Sequence, residues 1–182
     1  PQQVGSLAES WEIIQPDTLI YHIRQGVHFQ DKEPAWGREL TADDIVYSWL
    51  IRWRKGDRWY NIRPYFDYEA MERGDTSPGT VSIYVDPDDP WAVIMRVWPG
   101  WLGQIWEYTS SYGHIWPVET SPVGEAGDGG GIGSWERVSG TGPFIMTGHV
   151  SGSIITYDRN PNYWKTDAFH PENQLPYVDG VK

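Results

Sequence analysis

In the run TLIYHIR at 18–24, Leu19, Tyr21 and Ile23 alternate with Ile20, His22 and Arg24. This is the period of a strand with one buried and one partly wet face. The run before it, LAESWEI at 7–13, is similarly rich in large apolar residues, and Gln15-Pro16-Asp17 between them is a turn signal, so the pair predicts a hairpin. At Thr41 the period changes. Thr41-Ala42-Asp43-Asp44 fits a capping box with Asp in place of Glu or Gln, its acids near the positive end of the helix dipole. Val46, Trp49, Leu50 and Trp53 follow at helical spacing, and Gly56 and Pro64 end the helical pattern within the basic, aromatic stretch from Arg52 to Arg73.

Thr80 to Val85 and Ala92 to Trp98 predict two further strands around DPDDP at 86–90. After Pro99-Gly100, the positions of Trp101, Leu102, Ile105 and Trp106 predict a short amphipathic helix, and Ser110 to Pro117 reads as extended. Two late runs flanking Ser151-Gly152 predict a hairpin over 143–159. Its apolar residues Phe144, Met146, Ile155 and Tyr157 fall on alternate positions, and Asn160-Pro161 ends it because proline cannot donate to a ladder. Residues 25–40, with Gly26, Pro34 and Gly37, suit an ordered loop, and the Gly-dominated 121–134 suits a mobile surface loop. No period of 20–50 residues recurs. The order of elements predicts an α+β fold, mostly antiparallel strands with a few helices.

Composition narrows the function classes. The chain has 182 residues, enough for one domain or one domain and part of a second. Its formal charge of −11 opposes nucleic acid as a partner, because a phosphate binder needs a basic face. The absence of cysteine removes disulfides, a thiolate nucleophile and thiolate metal clusters. No apolar run reaches the length of a membrane span. The start at Pro1 reads as mid-sequence, an excised domain or mature fragment.

Candidate chemistry is sparse. GDGGGIG at 127–133 lacks the preceding strand, following helix and Lys-Ser/Thr ending of a phosphate loop. DPDDP lacks the glycine and distant glutamate of an EF-hand, so an acidic turn is the reading. The five histidines, at 22, 28, 114, 149 and 170, are not spaced as a helix-borne metal pair. Ser110-Ser111 and Ser151-Gly-Ser153 lack a nucleophile elbow. No catalytic residue, cofactor or metal is expected. Twelve Trp and eleven Tyr allow two readings, helix-phased core stripes or platforms for a sugar or peptide side chain. Trp49, Trp53, Trp101 and Trp106 fit the first; Trp59 and Tyr60, in a loop among Arg, Gly and Asp, could instead face a cleft.

Taken together, LAESWEI with DTLIYHIRQGVHFQD, LTADDIVYSW, TVSIYV with PWAVIMRVW, and GTGPFIMTGHVSGSIITYDRNPNYW with LPYVDGVK resemble the family 5 extracellular solute-binding proteins of ABC importers, the peptide and nickel class. The resemblance is colinear and weakens at 54–79 and 118–136. It implies part of a two-lobed receptor of the type II periplasmic-binding-protein-like fold. Residues 1–118 would be its small extra α+β domain, and 119–182 the chain returning into the first ligand-binding lobe. It further implies a monomer outside the cytoplasmic membrane, in the periplasm or at the cell surface, with a lipid anchor on the full-length protein left open. Such a receptor captures a peptide or an oligosaccharide by lobe closure and delivers it to a membrane permease; a carbohydrate-active enzyme module is the reading from another class. Relatives place an aromatic hydroxyl after the VYSW helix, which makes Tyr60 a ligand-binding candidate with Trp59 beside it. Tyr112 and His114, on the segment leaving the small domain, are the next candidates, with hinge or packing as their plainer role.

Overall fold

A computed structural model describes residues 5–53, 65–111, 114–120 and 135–182. Packing divides the chain into two compact units: unit 1 holds residues 1–25 and 41–118, and unit 2 holds 26–40 and 119–182. Residues 26–40 therefore group with a distant part of the sequence and not with their chain neighbours.

Unit 1 is a four-stranded antiparallel sheet covered by helices. Its strands are β1 (Ala8–Ile14), β2 (Thr18–Ile23), β3 (Ile83–Asp86) and β4 (Asp89–Arg96), in the order β1-β2-β4-β3. On β2 the alternation has the expected effect: Leu19, Tyr21 and Ile23 are buried while Ile20 and His22 are half-buried. Helix α1 (Ala42–Trp53) packs on β3 and β4 and buries Val46, Trp49, Leu50 and Trp53. Trp53 is fully buried, with Trp49 stacked at 4.6 Å and Phe66 at 4.9 Å between ring centroids; Tyr65 adds an edge contact. Each such side chain contributes about 1.5–3 kcal/mol through burial, and offset or edge ring geometry adds to it.

Several local expectations are corrected. The loop of the β3–β4 hairpin is tighter than DPDDP suggested: Asp86 pairs with Asp89, so β4 begins at Asp89 and β3 at Ile83. Pro90 is tolerated because it lies at the start of its strand. A short helix, α2 (Tyr68–Glu72), occupies part of the stretch with no predicted element; the Asp67 side chain caps it by accepting from the Glu69 and Ala70 amides. Helix α3 (Leu102–Ser111) runs into the segment expected to be extended, where the Ser110 hydroxyl returns to the Trp106 carbonyl. The capping box is only half formed. The Asp44 carboxylate accepts from the Thr41 amide, but the Thr41 hydroxyl donates to that same carboxylate instead of accepting from the helix.

Unit 2 carries β5 (Phe144–Val150), β6 (Ile154–Arg159) and β7 (Gly180–Val181) as an antiparallel sheet in that order, preceded by a 3-10 turn at Trp135–Arg137. Phe144, Met146, Tyr157 and Ile155 share one face, and a bulge between Met146 and Gly148 keeps His149 opposite Ile155. Gly152, at φ 71°, turns the hairpin. The 26–40 segment is stitched to this sheet by polar groups. The Gln30 amide donates to the Gly140 carbonyl at 2.9 Å and its side chain to the Phe144 carbonyl at 2.7 Å; the Lys32 ammonium donates to the carbonyls of Met146 and Trp135. Arg38 forms a two-pronged ion pair with Glu119, both contacts at 2.6 Å.

Candidate functional site

Unit 1 contains a cavity of about 350 Å³. Its floor comes from β1 and β2 through Trp11, Tyr21 and Ile23, and its walls from α1 through Ile45 and Trp49 and from α3 through Trp106, Thr109 and Ser110. Backbone and side chains of residues 5–8 and Ile115 complete it. The rings are close: Trp11 lies 5.1 Å from Trp106, and Tyr21 stacks on Trp106 at 6.1 Å and 16°. This volume lies at the low end of small-ligand pockets.

The hydroxyls of Tyr21, Thr109 and Ser110 are already committed. Thr109 donates its hydroxyl proton to the Ile105 carbonyl at 2.8 Å, so its oxygen accepts from the Tyr21 hydroxyl in a short hydrogen bond. Burial pushes the Tyr21 phenol up to about 12, against the smaller opposing effect of Thr109, and it stays a neutral donor at ordinary pH. No lining residue carries a charge. The surface therefore suits a flat, uncharged group; it pairs no nucleophile with a base, and among the described residues no cluster of His, Asp and Glu is arranged to hold a metal.

The sequence-derived candidates fall outside or beside this cavity. Trp59, Tyr60 and Tyr112 lie outside the described residues. His114 is exposed and does not line the cavity, although Ser110 and Ile115, on either side of it in sequence, both do. The sequence did not point to Trp11 and Tyr21 as cavity residues, because each reads as an ordinary strand position. Trp106 reads as core from its helical spacing, yet it is only half-buried and forms a wall. A further exposed indole, Trp36, sits at φ 48° in the 26–40 segment. This backbone conformation is uncommon for a non-glycine residue, and nothing in the sequence PAWG singled it out.

The fold matches that of solved receptors. The oligopeptide-binding protein AppA from Bacillus subtilis, solved with a nonapeptide, superposes with a TM-score of 0.62 at 21% identity, over 97% of this chain and 30% of that one. The likeness gives the chain the type II periplasmic-binding-protein-like fold. The chain belongs to the bacterial extracellular solute-binding proteins, family 5, whose model for the middle region matches residues 2–182. It is 27% identical over 177 residues to the peptide transport periplasmic protein SapA of Salmonella typhimurium, covering 93% of this chain and 30% of that protein. It is also 27% identical over 184 residues to the oligopeptide-binding protein AliB of Streptococcus pneumoniae, covering 97% of this chain and 27% of that protein. The chain thus spans a little under a third of the length of these relatives.

Proposed function

We propose that this chain is part of the substrate-binding component of an ABC importer, working outside the cytoplasmic membrane. The receptor captures peptides noncovalently and delivers them to a membrane permease. The observation that carries the reading is the colinear match over residues 2–182 to one family of solute-binding proteins, with relatives named for peptide transport. On this reading residues 1–118 supply the small extra domain, except that 26–40 pack with 119–182, the part that returns into the first ligand-binding lobe. Tyr60, Trp59, Tyr112 and His114 are the proposed ligand contacts, and the receptor acts as a monomer without catalytic chemistry. The uncharged, ring-lined cavity agrees with noncovalent work, since the hydroxyls of Tyr21 and Thr109 are engaged with each other and with backbone.

Lobe closure favours ligand because the closed form makes contacts that the open form lacks. A micromolar complex is worth about −8.2 kcal/mol, and a chain supplying half of that interaction energy retains roughly millimolar affinity. Thermal shift of the intact receptor against a peptide pool and a sugar panel tests the function, since a ligand that binds only the native state raises the melting point. Peptides should raise it and sugars should not; a shift with sugars alone overturns the proposal. Calorimetry on this chain by itself should show no binding tighter than millimolar, and sub-micromolar affinity would contradict the division of labour.

A further inference from the structure

The chain crosses between the two units at 25/26, 40/41 and 118/119. Two of these crossings end on one side chain within unit 1. The amide of Thr41, the first residue back in unit 1, donates to Asp44 Oδ2 at 2.9 Å, and the Thr41 hydroxyl donates to the same oxygen at 3.2 Å. The amide of Val118, the last residue before the chain leaves, donates to Asp44 Oδ1 at 2.9 Å. Asp44 is fully buried. One turn further along α1, the Ser48 hydroxyl accepts from the Trp116 amide at 2.8 Å and directs its proton to the carbonyls of Asp44 and Trp116, at 2.6 and 3.1 Å.

The spacing has a physical basis. Four residues of α-helix rise about 6 Å, and two residues of near-extended chain advance about 6.6 Å. Side chains at i and i+4 of α1 can therefore meet alternate amides of a segment running alongside it, and the pairs Asp44 with Val118 and Ser48 with Trp116 set that segment antiparallel to the helix. The two side chains take the place of a neighbouring strand for an irregular segment that has none. The acceptor at position 44 is a fully buried carboxylate, which is costly to leave without donors, so each contact is worth holding.

We propose that Asp44, with Ser48, is a crossover clamp: one buried carboxylate fixes the point where the chain re-enters unit 1 and the point where it leaves. The acid at the fourth position of TADD then serves more than helix capping, and a serine four residues later completes the device. Asn at position 44 keeps one acceptor and turns an NH2 toward a backbone donor, so at least one crossing loses its anchor. Asp43, exposed in the same helical turn, is the control for charge alone.

The test is hydrogen exchange by mass spectrometry on the intact receptor, and it does not depend on what the receptor binds. In Asp44→Asn, peptides spanning Thr41 and residues 116–118 should exchange about tenfold faster or more, while β2 and β4 stay within about twofold of the parent. Asp43→Asn should leave both sets unchanged. Ser48→Ala should accelerate the Trp116 amide and not the Thr41 amide. Equal acceleration throughout unit 1 in Asp44→Asn would show general destabilisation and overturn the clamp, as would no change at 41 and 116–118. If Asp44→Asn does not fold, Ser48→Ala decides: an unchanged Trp116 amide overturns the proposal.

Discussion

Unit 1 and unit 2 solve the burial problem differently. In unit 1, apolar side chains from three helices and from strands β2, β3 and β4 are buried, and Leu19, Trp53, Ile83, Val93, Met95 and Ile105 are all fully buried. In unit 2 no residue of the β5–β6 hairpin falls in the buried class. Among the described residues, the buried apolar side chains of unit 2 come from 26–40, namely Val27, Phe29, Ala35 and Leu40; Gln30 and Lys32 join that segment to β5, and Arg38 joins it to Glu119. At the hairpin tip Val150 and Ile154 face each other at 58% and 41% exposure. A unit with its own apolar core resists local change as a block. A unit held by polar stitches opens where a stitch is cut, and its uncovered apolar positions suit a sheet that is extended or covered in the longer protein.

The largest expected effect tests the first half of that contrast. Trp53→Ala should cost about 3–5 kcal/mol in denaturant unfolding followed by fluorescence; a loss below about 1 kcal/mol would mean that unit 1 does not depend on its own core. Next, Gln30→Ala removes the donor to the Phe144 carbonyl and should cost about 1–3 kcal/mol, with faster exchange along β5 as the local sign. If β5 exchange is unchanged, the stitch is dispensable.

The Arg38–Glu119 pair should give a smaller, pH-dependent effect. The Arg38 guanidinium, hydrogen-bonded to Glu119, holds that carboxyl below its ordinary value of 4.5. A carboxyl whose value is depressed in the fold contributes stability that is complete above 4.5 and fades as the pH falls through the folded value. Both partners are partly exposed and screened, so Glu119→Gln should cost less than about 1 kcal/mol at neutral pH. The difference from the parent should shrink in acid; a difference that persists unchanged at low pH would assign the effect to packing. The smallest effect is expected at the hairpin tip. Ile154→Thr should shift the stability of this chain by no more than about 0.5 kcal/mol and cost more in the intact receptor. Equal small effects in both would show that the tip stays uncovered.

Much of unit 1 was legible because its signals are local. The β2 alternation and the α1 stripe each state a face, and each element forms with that face turned inward, while of the α3 set Leu102 and Ile105 are buried and Trp101 and Trp106 half-buried. Where the reading failed, the deciding contact was a hydrogen bond that periodicity does not encode. The Asp67 cap starts α2 within a stretch of aromatics and charges, and the Asp86–Asp89 pairing closes the hairpin inside a run that reads as loop. The site was less legible still. Trp59, Tyr60, Tyr112 and His114 rest on the family's pattern, whereas the cavity forms where Trp11, Tyr21, Trp49 and Trp106 converge from four separate elements.

By itself the sequence determined the family, the antiparallel α+β character and which face of each strand and helix is apolar, since these depend on residue order and short-range geometry. The tertiary structure alone decided that 26–40 groups with 119–182, that four rings enclose a cavity, and that Asp44 holds both Thr41 and Val118. Those outcomes depend on groups far apart in the chain, and only folding brings a carboxylate at position 44 within 2.9 Å of an amide 74 residues away.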